Sequence, residues 1–109
     1  MSNETLTALY ETVLSRREEK QEGSYTCYLF EQGIDKILKK VGEECAETII
    51  AAKNKDNEAL TGEIADLLYH ITVMMAERGL PMESLLTELD KRAEKTGNLK
   101  QFKTVDKNS

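Results

Sequence analysis

The chain has 109 residues, of which 32% are charged and 6% are aromatic, with one proline and no tryptophan. This length suits a single domain, and the composition favours helices over a β-sandwich or a β-barrel. The net charge of −5 leaves no basic arm that would neutralise a run of phosphates, so we expect no nucleic-acid partner.

The sequence contains no apolar run long enough to span a membrane, and its start does not resemble a secretory leader. We therefore expect a cytoplasmic protein that has no membrane partner. The two cysteines, Cys27 and Cys45, form no CxxC pair. In a reducing cytoplasm we expect both to be buried free thiols.

Apolar spacing and capping residues predict an all-α fold, a bundle of four to five helices with a polar tail. The predicted helices cover residues 3–20, Tyr25–Gln32, Ile34–Lys53, Glu58–Arg78 and a last segment that begins near Pro81 and ends at Gly97. Ser24 is the predicted N-cap of the second helix, and Gly33 and Gly79 are predicted to end the second and fourth helices. We expect one domain over residues 1–96 and a polar tail over 97–109.

Both long helices carry an apolar stripe that we expect to lie in the core. The stripe of the third helix is Ile34, Ile37, Leu38, Val41, Cys45, Ile49 and Ala52, and that of the fourth is Leu60, Ile64, Leu67, Leu68, Ile71, Met74 and Met75. The fourth helix is also apolar on its back, where Ala65, Tyr69, Thr72, Val73 and Ala76 lie. Because a helix that is apolar on two sides needs cover on both, we predict a homodimer or a higher oligomer. The alternative is a helix that is fully covered within one chain.

Acidic residues follow one side of each stripe. Glu44 and Glu47 form an E-x-x-E motif on the third helix, and Glu63 and Asp66 form an E-x-x-D motif on the fourth. At about 100° per residue, both pairs are offset from the apolar face in the same rotational sense. Two antiparallel helices packed through their apolar faces keep such stripes on one side, so the four carboxylates are predicted to converge.

Four carboxylates beside a core require a compensating charge. A Mg²⁺ or Mn²⁺ ion supplies it, because such hard cations prefer oxygen ligands and are often completed by substrate phosphates. The alternative interpretation is a solvated acidic face with i,i+4 pairs such as Lys40–Glu44.

The same region carries a family resemblance. The motifs Ser24-Tyr25-Thr26, Asp35–Glu44 (DKILKKVGEE), Glu47 and Glu63–His70 (EIADLLYH) resemble those of the phosphoribosyl-ATP pyrophosphatase family. This family belongs, with MazG-like proteins, to the all-α nucleotide pyrophosphohydrolases. The resemblance implies a MazG-like helical bundle and the second step of histidine biosynthesis, the hydrolysis of phosphoribosyl-ATP to phosphoribosyl-AMP and pyrophosphate.

The resemblance also implies roles for particular residues. Glu44, Glu47, Glu63 and Asp66 would be catalytic ligands of Mg²⁺, with Mn²⁺ as a substitute. Glu43 would contact a second metal or orient water. The phosphate-binding candidates are Lys36, Lys40 and Lys53, and Tyr25 and Thr26 are candidates for substrate recognition. Two alternatives stay open at this point: a house-cleaning NTP or dUTP pyrophosphohydrolase, and a non-catalytic helical dimerisation module.

Overall fold

The computed structural model describes residues 4–97 and confirms the all-α prediction, since this part of the chain contains helices and no strand. The helices are α1 (Glu4–Glu18), α2 (Tyr25–Gln32), α3 (Ile34–Lys53), α4 (Asn57–Glu77) and α5 (Met82–Gly97). The bounds of α2 and α3 are as predicted, and those of the other helices differ by one or two residues. The predicted polar tail lies, apart from its first residue, outside the described residues.

Local capping explains where these helices begin and end. The Ser24 hydroxyl accepts a hydrogen bond of 3.1 Å from the Cys27 amide, which confirms the predicted cap of α2. The Asp56 carboxylate does the same for α4 by accepting from the Ala59 amide at 3.1 Å. Beyond the end of α4, Gly79 has a φ of 71°, a left-handed conformation that glycine adopts without strain.

The core forms where the first four helices meet. Val73 and Ala76 of α4 are completely buried in a cluster with Val13 of α1, Leu29 of α2 and Ile37 of α3. Burial of each Val, Leu or Ile side chain in this cluster stabilises the folded state by about 1.5–3 kcal/mol. The back of α4, which the sequence identified as a second apolar face, therefore lies inside the chain.

The predicted apolar stripes of α3 and α4 are only partly in this core: Ile37 and Met75 are buried, and the prediction is wrong for the exposed members of each stripe. Ile49 of α3 is 68% exposed, and Leu38 on the same helix is half exposed. Ile64 and Leu68 of α4 are each 42% exposed. Cys45 also lies on the surface as a free thiol, which corrects the expectation that both cysteines are buried; Cys27 is buried as predicted.

The reason is a rotation of α3 relative to the expected packing. Its buried residues are Ile37, Glu44 and Ala51, which recur every seven residues and therefore share one face. This face includes the acidic side, so α3 turns a carboxylate toward α4 and leaves Leu38 and Ile49 of its predicted stripe exposed. The single chain does not cover α4 completely, so the alternative of a helix that is fully covered within one chain is wrong.

The last helix lies against α1. Met82 is buried and Leu85 and Leu86 are half-buried, whereas Leu89 is about half exposed. The radius of gyration is 16.5 Å, above the ~13 Å typical of a compact 100-residue domain. No helix among the described residues is long and apolar enough to cross a membrane.

Candidate metal centre and substrate site

The predicted carboxylates meet between α3 and α4. One carboxylate oxygen from each of Glu44, Glu63 and Asp66 lies within 4.8 Å of the other two. Glu44 is buried, Glu63 is half-buried and Asp66 is exposed. The cluster therefore opens from the helix–helix contact to the surface, as a site for a small ion with an external ligand would.

Thr48 fixes the two helices at the level of this cluster. Its hydroxyl lies 2.7 Å from the main-chain oxygen of Glu44, one turn earlier on α3, and 3.3 Å from that of Glu63 on α4. One side chain thus ties the two turns that carry the most buried carboxylates. Sequence reasoning missed Thr48, although its position four residues after Glu44 places it on the same helix face.

The electrostatics of the cluster are those of uncompensated negative charge. Burial raises the pKa of Glu44, and the neighbouring carboxylates of Glu47 and Asp66 raise it further. Burial also raises the pKa of Glu63, and the neighbouring Glu47 carboxylate raises that pKa further. Glu47 is therefore near enough to raise both pKa values, whereas the carboxylate oxygens that lie within 4.8 Å of one another come from Glu44, Glu63 and Asp66.

The residues fit a hard divalent cation. The Oε1 atoms of Glu44 and Glu63 are buried, and neither accepts a hydrogen bond from any group in residues 4–97. A buried charged oxygen without a donor is costly, and it is rare in a native structure unless another ligand satisfies it. Carboxylate oxygens are the ligands that Mg²⁺ and Mn²⁺ take.

Two further predicted residues, Glu43 and Lys40, pair with each other. The Lys40 ammonium lies 3.3 Å from the Glu43 carboxylate, so the expected Lys40–Glu44 pair is replaced by an i,i+3 pair. This hydrogen bond raises the pKa of Lys40, and Tyr25 and Glu44 are near enough to contribute. Lys40 therefore stands between the carboxylate cluster and α2, while Glu43 faces Lys40 rather than the cluster.

The predicted recognition residues, Tyr25 and Thr26, both contact α4. The Tyr25 hydroxyl lies 3.1 Å from Nε2 of His70, and the Thr26 hydroxyl is hydrogen bonded to that of Tyr69. Tyr25 remains 45% exposed and available to a ligand. Thr26 is half-buried, and its hydroxyl is already engaged with Tyr69.

The remaining two lysines differ in position. Lys36 has its ammonium 6.0 Å from the centre of the Tyr28 ring, on the side of α3 that adjoins α2. Lys53 is the exposed last residue of α3 and lies six residues beyond Glu47, roughly 9 Å along the helix axis. The structure thus places Lys36 with the aromatic residues and does not bring Lys53 into the cluster.

His70 connects these two groups of residues. It is buried, and its Nδ1 lies 2.8 Å from the main-chain oxygen of Asp66. Because a carbonyl oxygen only accepts, Nδ1 carries a proton, and in this tautomer Nε2 accepts from the Tyr25 hydroxyl. His70 therefore joins α2 to the turn of α4 that carries Asp66.

An all-α chain with a carboxylate cluster in a helix hairpin has the architecture expected of an all-α nucleotide pyrophosphohydrolase. Over residues 6–93 the sequence matches the family described as phosphoribosyl-ATP pyrophosphohydrolase. The chain belongs to that family, which confirms the resemblance identified from its motifs.

Curated relatives agree with this assignment. The three described here are each named phosphoribosyl-ATP pyrophosphatase. The relative from Pelotomaculum thermopropionicum is 59% identical over 87 residues, which cover 80% of this chain and 89% of the relative. The relative from Clostridium botulinum is 51% identical over 106 residues, 96% of both chains. The relative from Listeria welshimeri is 50% identical over 101 residues, 93% of this chain and 97% of the relative.

Proposed function

We propose that this protein hydrolyses phosphoribosyl-ATP to phosphoribosyl-AMP and pyrophosphate in the cytoplasm, as the second step of histidine biosynthesis. Membership of the family over residues 6–93 supports the reaction. The observation that carries the assignment of the site is the pair of buried, unpaired oxygens of Glu44 and Glu63. These atoms lie on the motifs through which the sequence resembles the family.

Mg²⁺ is the proposed cofactor, with Mn²⁺ as a substitute. Glu44, Glu63 and Asp66 supply oxygens close enough together to share one ion, and Glu47 completes the proposed ligand set. When bound, the cation would neutralise charge on the triphosphate and orient the phosphates for attack by water.

The chain's own residues have complementary tasks. A carboxylate oxygen of the cluster that is not itself bound to the cation accepts the proton of the attacking water. Lys40, paired with Glu43 and facing Tyr25 and Glu44, supplies positive charge to phosphate oxygens. Glu43 positions that ammonium. Lys36 and Lys53 are proposed as further phosphate contacts from the two ends of α3, and Tyr25 and Thr26 as recognition residues.

The proposed active form is a homo-oligomer, most simply a dimer. Exposed apolar side chains on α3 and α4 support this proposal, because large aliphatic residues at a helix surface are commonly covered by a partner. The exposed residues in question are Leu38, Ile49, Ile50, Ile64 and Leu68. They lie on the same two helices as the carboxylate cluster, so a partner that covers them would also border the proposed active site.

The deciding experiment measures pyrophosphate release from phosphoribosyl-ATP with Mg²⁺ and then with EDTA, with ATP and dUTP as comparison substrates. We expect rapid, Mg²⁺-dependent release from phosphoribosyl-ATP alone. Asp66→Asn should lower turnover by about 1,000-fold, since it removes a charged ligand from the site, while circular dichroism shows unchanged helix content. Asp90→Asn, an exposed change on α5, is the matched control and should keep the wild-type rate.

The outcomes separate the alternatives. Release from ATP or dUTP in preference to phosphoribosyl-ATP would overturn the substrate assignment and favour a house-cleaning enzyme. Wild-type turnover in Asp66→Asn would overturn the ligand assignment. No release from any nucleotide would leave a non-catalytic helical oligomer.

A further inference from the structure

Three tyrosines form a row along the side of the candidate site. The Tyr25 ring is stacked between Tyr28, at 6.0 Å between centroids, and Tyr69, at 6.2 Å. The interplanar angles are 25° and 28°, so the rings lie nearly parallel. The edges of Tyr25 and Tyr69 also meet His70 at 5.8 and 4.9 Å. The row has one buried end, at His70, and one open end, at Tyr28.

The open end is accessible and lies beside a groove. Tyr25 and Tyr28 are 45% and 41% exposed, an unusual exposure for two neighbouring aromatic rings on an eight-residue helix. The groove has a volume of about 590 Å³ and is lined by both tyrosines, by the ion pair of Lys20 with Glu31, and by Glu22. This volume is within the range of small-molecule sites.

The Tyr28 ring already lies near a cation. The Lys36 ammonium is 6.0 Å from its centroid, at the limit of a cation–π contact. An ammonium on a flexible stem exchanges easily for another cation. The exposed Tyr28 face, with the Glu22 carboxylate in the same groove, is therefore suited to a flat ligand with positive charge.

Two contacts connect the pair of Tyr25 and Tyr28 to the carboxylate cluster. His70 accepts from Tyr25 and donates to the main-chain oxygen of Asp66. Lys40 lies near both Tyr25 and Glu44. Tyr28 is one ring further out. Lys36, whose ammonium lies 6.0 Å from the Tyr28 ring, precedes Glu44 by eight residues on α3, roughly 12 Å along the helix axis, a separation that a ribose and a triphosphate span.

We propose that Tyr25 and Tyr28 form the subsite for the purine ring of the substrate, and that Tyr28 discriminates phosphoribosyl-ATP from ATP by favouring an N1-substituted, cationic adenine. The chemistry follows from the substrate. Phosphoribosyl-ATP carries its additional ribose on N1 of adenine, and an N1-alkylated adenine is protonated and positively charged at neutral pH, whereas the adenine of ATP is neutral. A delocalised cation stacks more favourably on a tyrosine face than a neutral base does.

This inference rests on the proposed function, and its test is separate from turnover. The probes are AMP and N1-methyl-AMP, titrated by calorimetry into the full-length protein at pH 7 without Mg²⁺. Neither probe carries a triphosphate, so the carboxylate cluster contributes little to the comparison. The wild-type protein should bind N1-methyl-AMP about 10-fold more tightly than AMP, a ratio within the range of cation–π contacts.

Two variants of one residue isolate the aromatic face. Tyr28→Phe keeps the ring and should retain the preference, whereas Tyr28→Leu keeps an apolar side chain but removes the aromatic face and should reduce the ratio to about 2-fold or less. Because Tyr28 is exposed, both variants should keep the wild-type helix content. With phosphoribosyl-ATP, Tyr28→Leu should raise KM by about 10-fold with little change in kcat.

Each contrary result has a distinct meaning. A wild-type protein that turns over phosphoribosyl-ATP but binds both probes equally, or binds neither, overturns the subsite while the proposed function stands. A preference that persists in Tyr28→Leu places the discriminating group elsewhere. Failure of the wild-type protein to hydrolyse phosphoribosyl-ATP would instead contradict the proposed function, and a preference for N1-methyl-AMP in that case would still support the subsite as a site for cationic purines.

Discussion

Glu44 and Glu63 face each other across the α3–α4 contact, and each buries one carboxylate oxygen that no group in residues 4–97 satisfies. Their main-chain oxygens share the hydroxyl of Thr48 as a donor. The two turns are therefore fixed relative to each other by one short side chain, even though their carboxylates repel. A backbone that holds like charges together without neutralising them is preorganised for a cation.

The first prediction concerns thermal stability with Mg²⁺. Because the cation binds the folded carboxylate cluster and not the unfolded chain, saturating Mg²⁺ should stabilise the protein by about 2.7 kcal/mol at 100 times Kd. For a domain of this size that corresponds to a rise in Tm of roughly 10 °C. Circular dichroism melts in EDTA and in increasing MgCl₂, at one fixed protein concentration, measure it.

Two variants control this measurement. Glu44→Gln should lose most of the Mg²⁺-dependent rise. Glu94→Gln, an exposed change on α5, should retain it, because that carboxylate is on a different helix from the cluster. Equal rises in all three proteins would show that Mg²⁺ acts through general screening and not through this site.

The second prediction is a pH dependence of the metal-free protein. Burial, Glu47 and Asp66 raise the pKa of Glu44 above its ordinary value of 4.5. Between pH 4.5 and this raised pKa, the folded protein therefore binds more protons than the unfolded chain. Stability from this carboxyl is therefore fully present near pH 4.5 and is lost as pH rises through the folded-state pKa. In EDTA at pH 7.5, Glu44→Gln should melt higher than wild type, and the difference should shrink toward pH 4.5.

The comparison between the two proteins at each pH cancels the titration of groups elsewhere, such as Glu88, whose pKa is lowered by its hydrogen bond to Arg92. With saturating Mg²⁺ at pH 7.5 the order should reverse, because only wild type then gains the bound cation. A difference in Tm that does not vary with pH would contradict the assigned burial of a charged Glu44.

The third prediction tests the contact between Tyr25 and His70. Tyr25→Phe removes the donor to the buried Nε2 of His70, and an unsatisfied buried acceptor costs about 1–3 kcal/mol. We expect Tm to fall by about 5 °C or more. Tyr28→Phe, on an exposed ring one turn away, should change Tm by no more than about 1 °C. If the two variants melt alike, the Tyr25 hydroxyl does not stabilise the fold.

The fourth prediction concerns assembly. Ile64→Lys places a charge among the exposed apolar residues of the α3–α4 hairpin and should convert the oligomer to monomer at micromolar concentrations. Leu89→Lys, at a similarly exposed leucine on α5, should leave the oligomer intact. Sedimentation velocity distinguishes the two. A wild-type protein that sediments as a monomer at 100 µM, a concentration on the order at which even weak specific dimers form, would overturn the oligomer itself.

Much of the fold followed from local signals in the sequence. Ser24 and Gly33 define α2 by their own chemistry, one as a side-chain acceptor and the other as a residue free to adopt a φ of 94°. Such signals act over a few residues, so they can be identified in a single sequence. The meeting of Glu44 with Glu63 and Asp66 was also predicted, because helix periodicity fixes which side of each helix a residue occupies.

The rotation of the α3–α4 pair was not predictable in the same way. Periodicity predicts that the whole apolar stripe of α3 faces the interior of its own chain. The structure buries Ile37 of that stripe together with Glu44 and leaves Leu38 and Ile49 exposed, because α4 is covered from behind by α1 and α2. A single sequence shows that a face needs cover, but it does not show whether the same chain or another one supplies it.

Gly33 closes α2 and opens α3 with no residue between them: its amide donates to Leu29 at 3.0 Å and its carbonyl accepts from Ile37 at 3.2 Å. The two helices therefore meet at a rigid corner and not at a linker. The tyrosines of α2 and Glu44 of α3 are therefore carried by two helices that are joined without a flexible segment. A residue inserted beside Gly33 would lengthen this joint and should change the distance between the aromatic rings and the carboxylates.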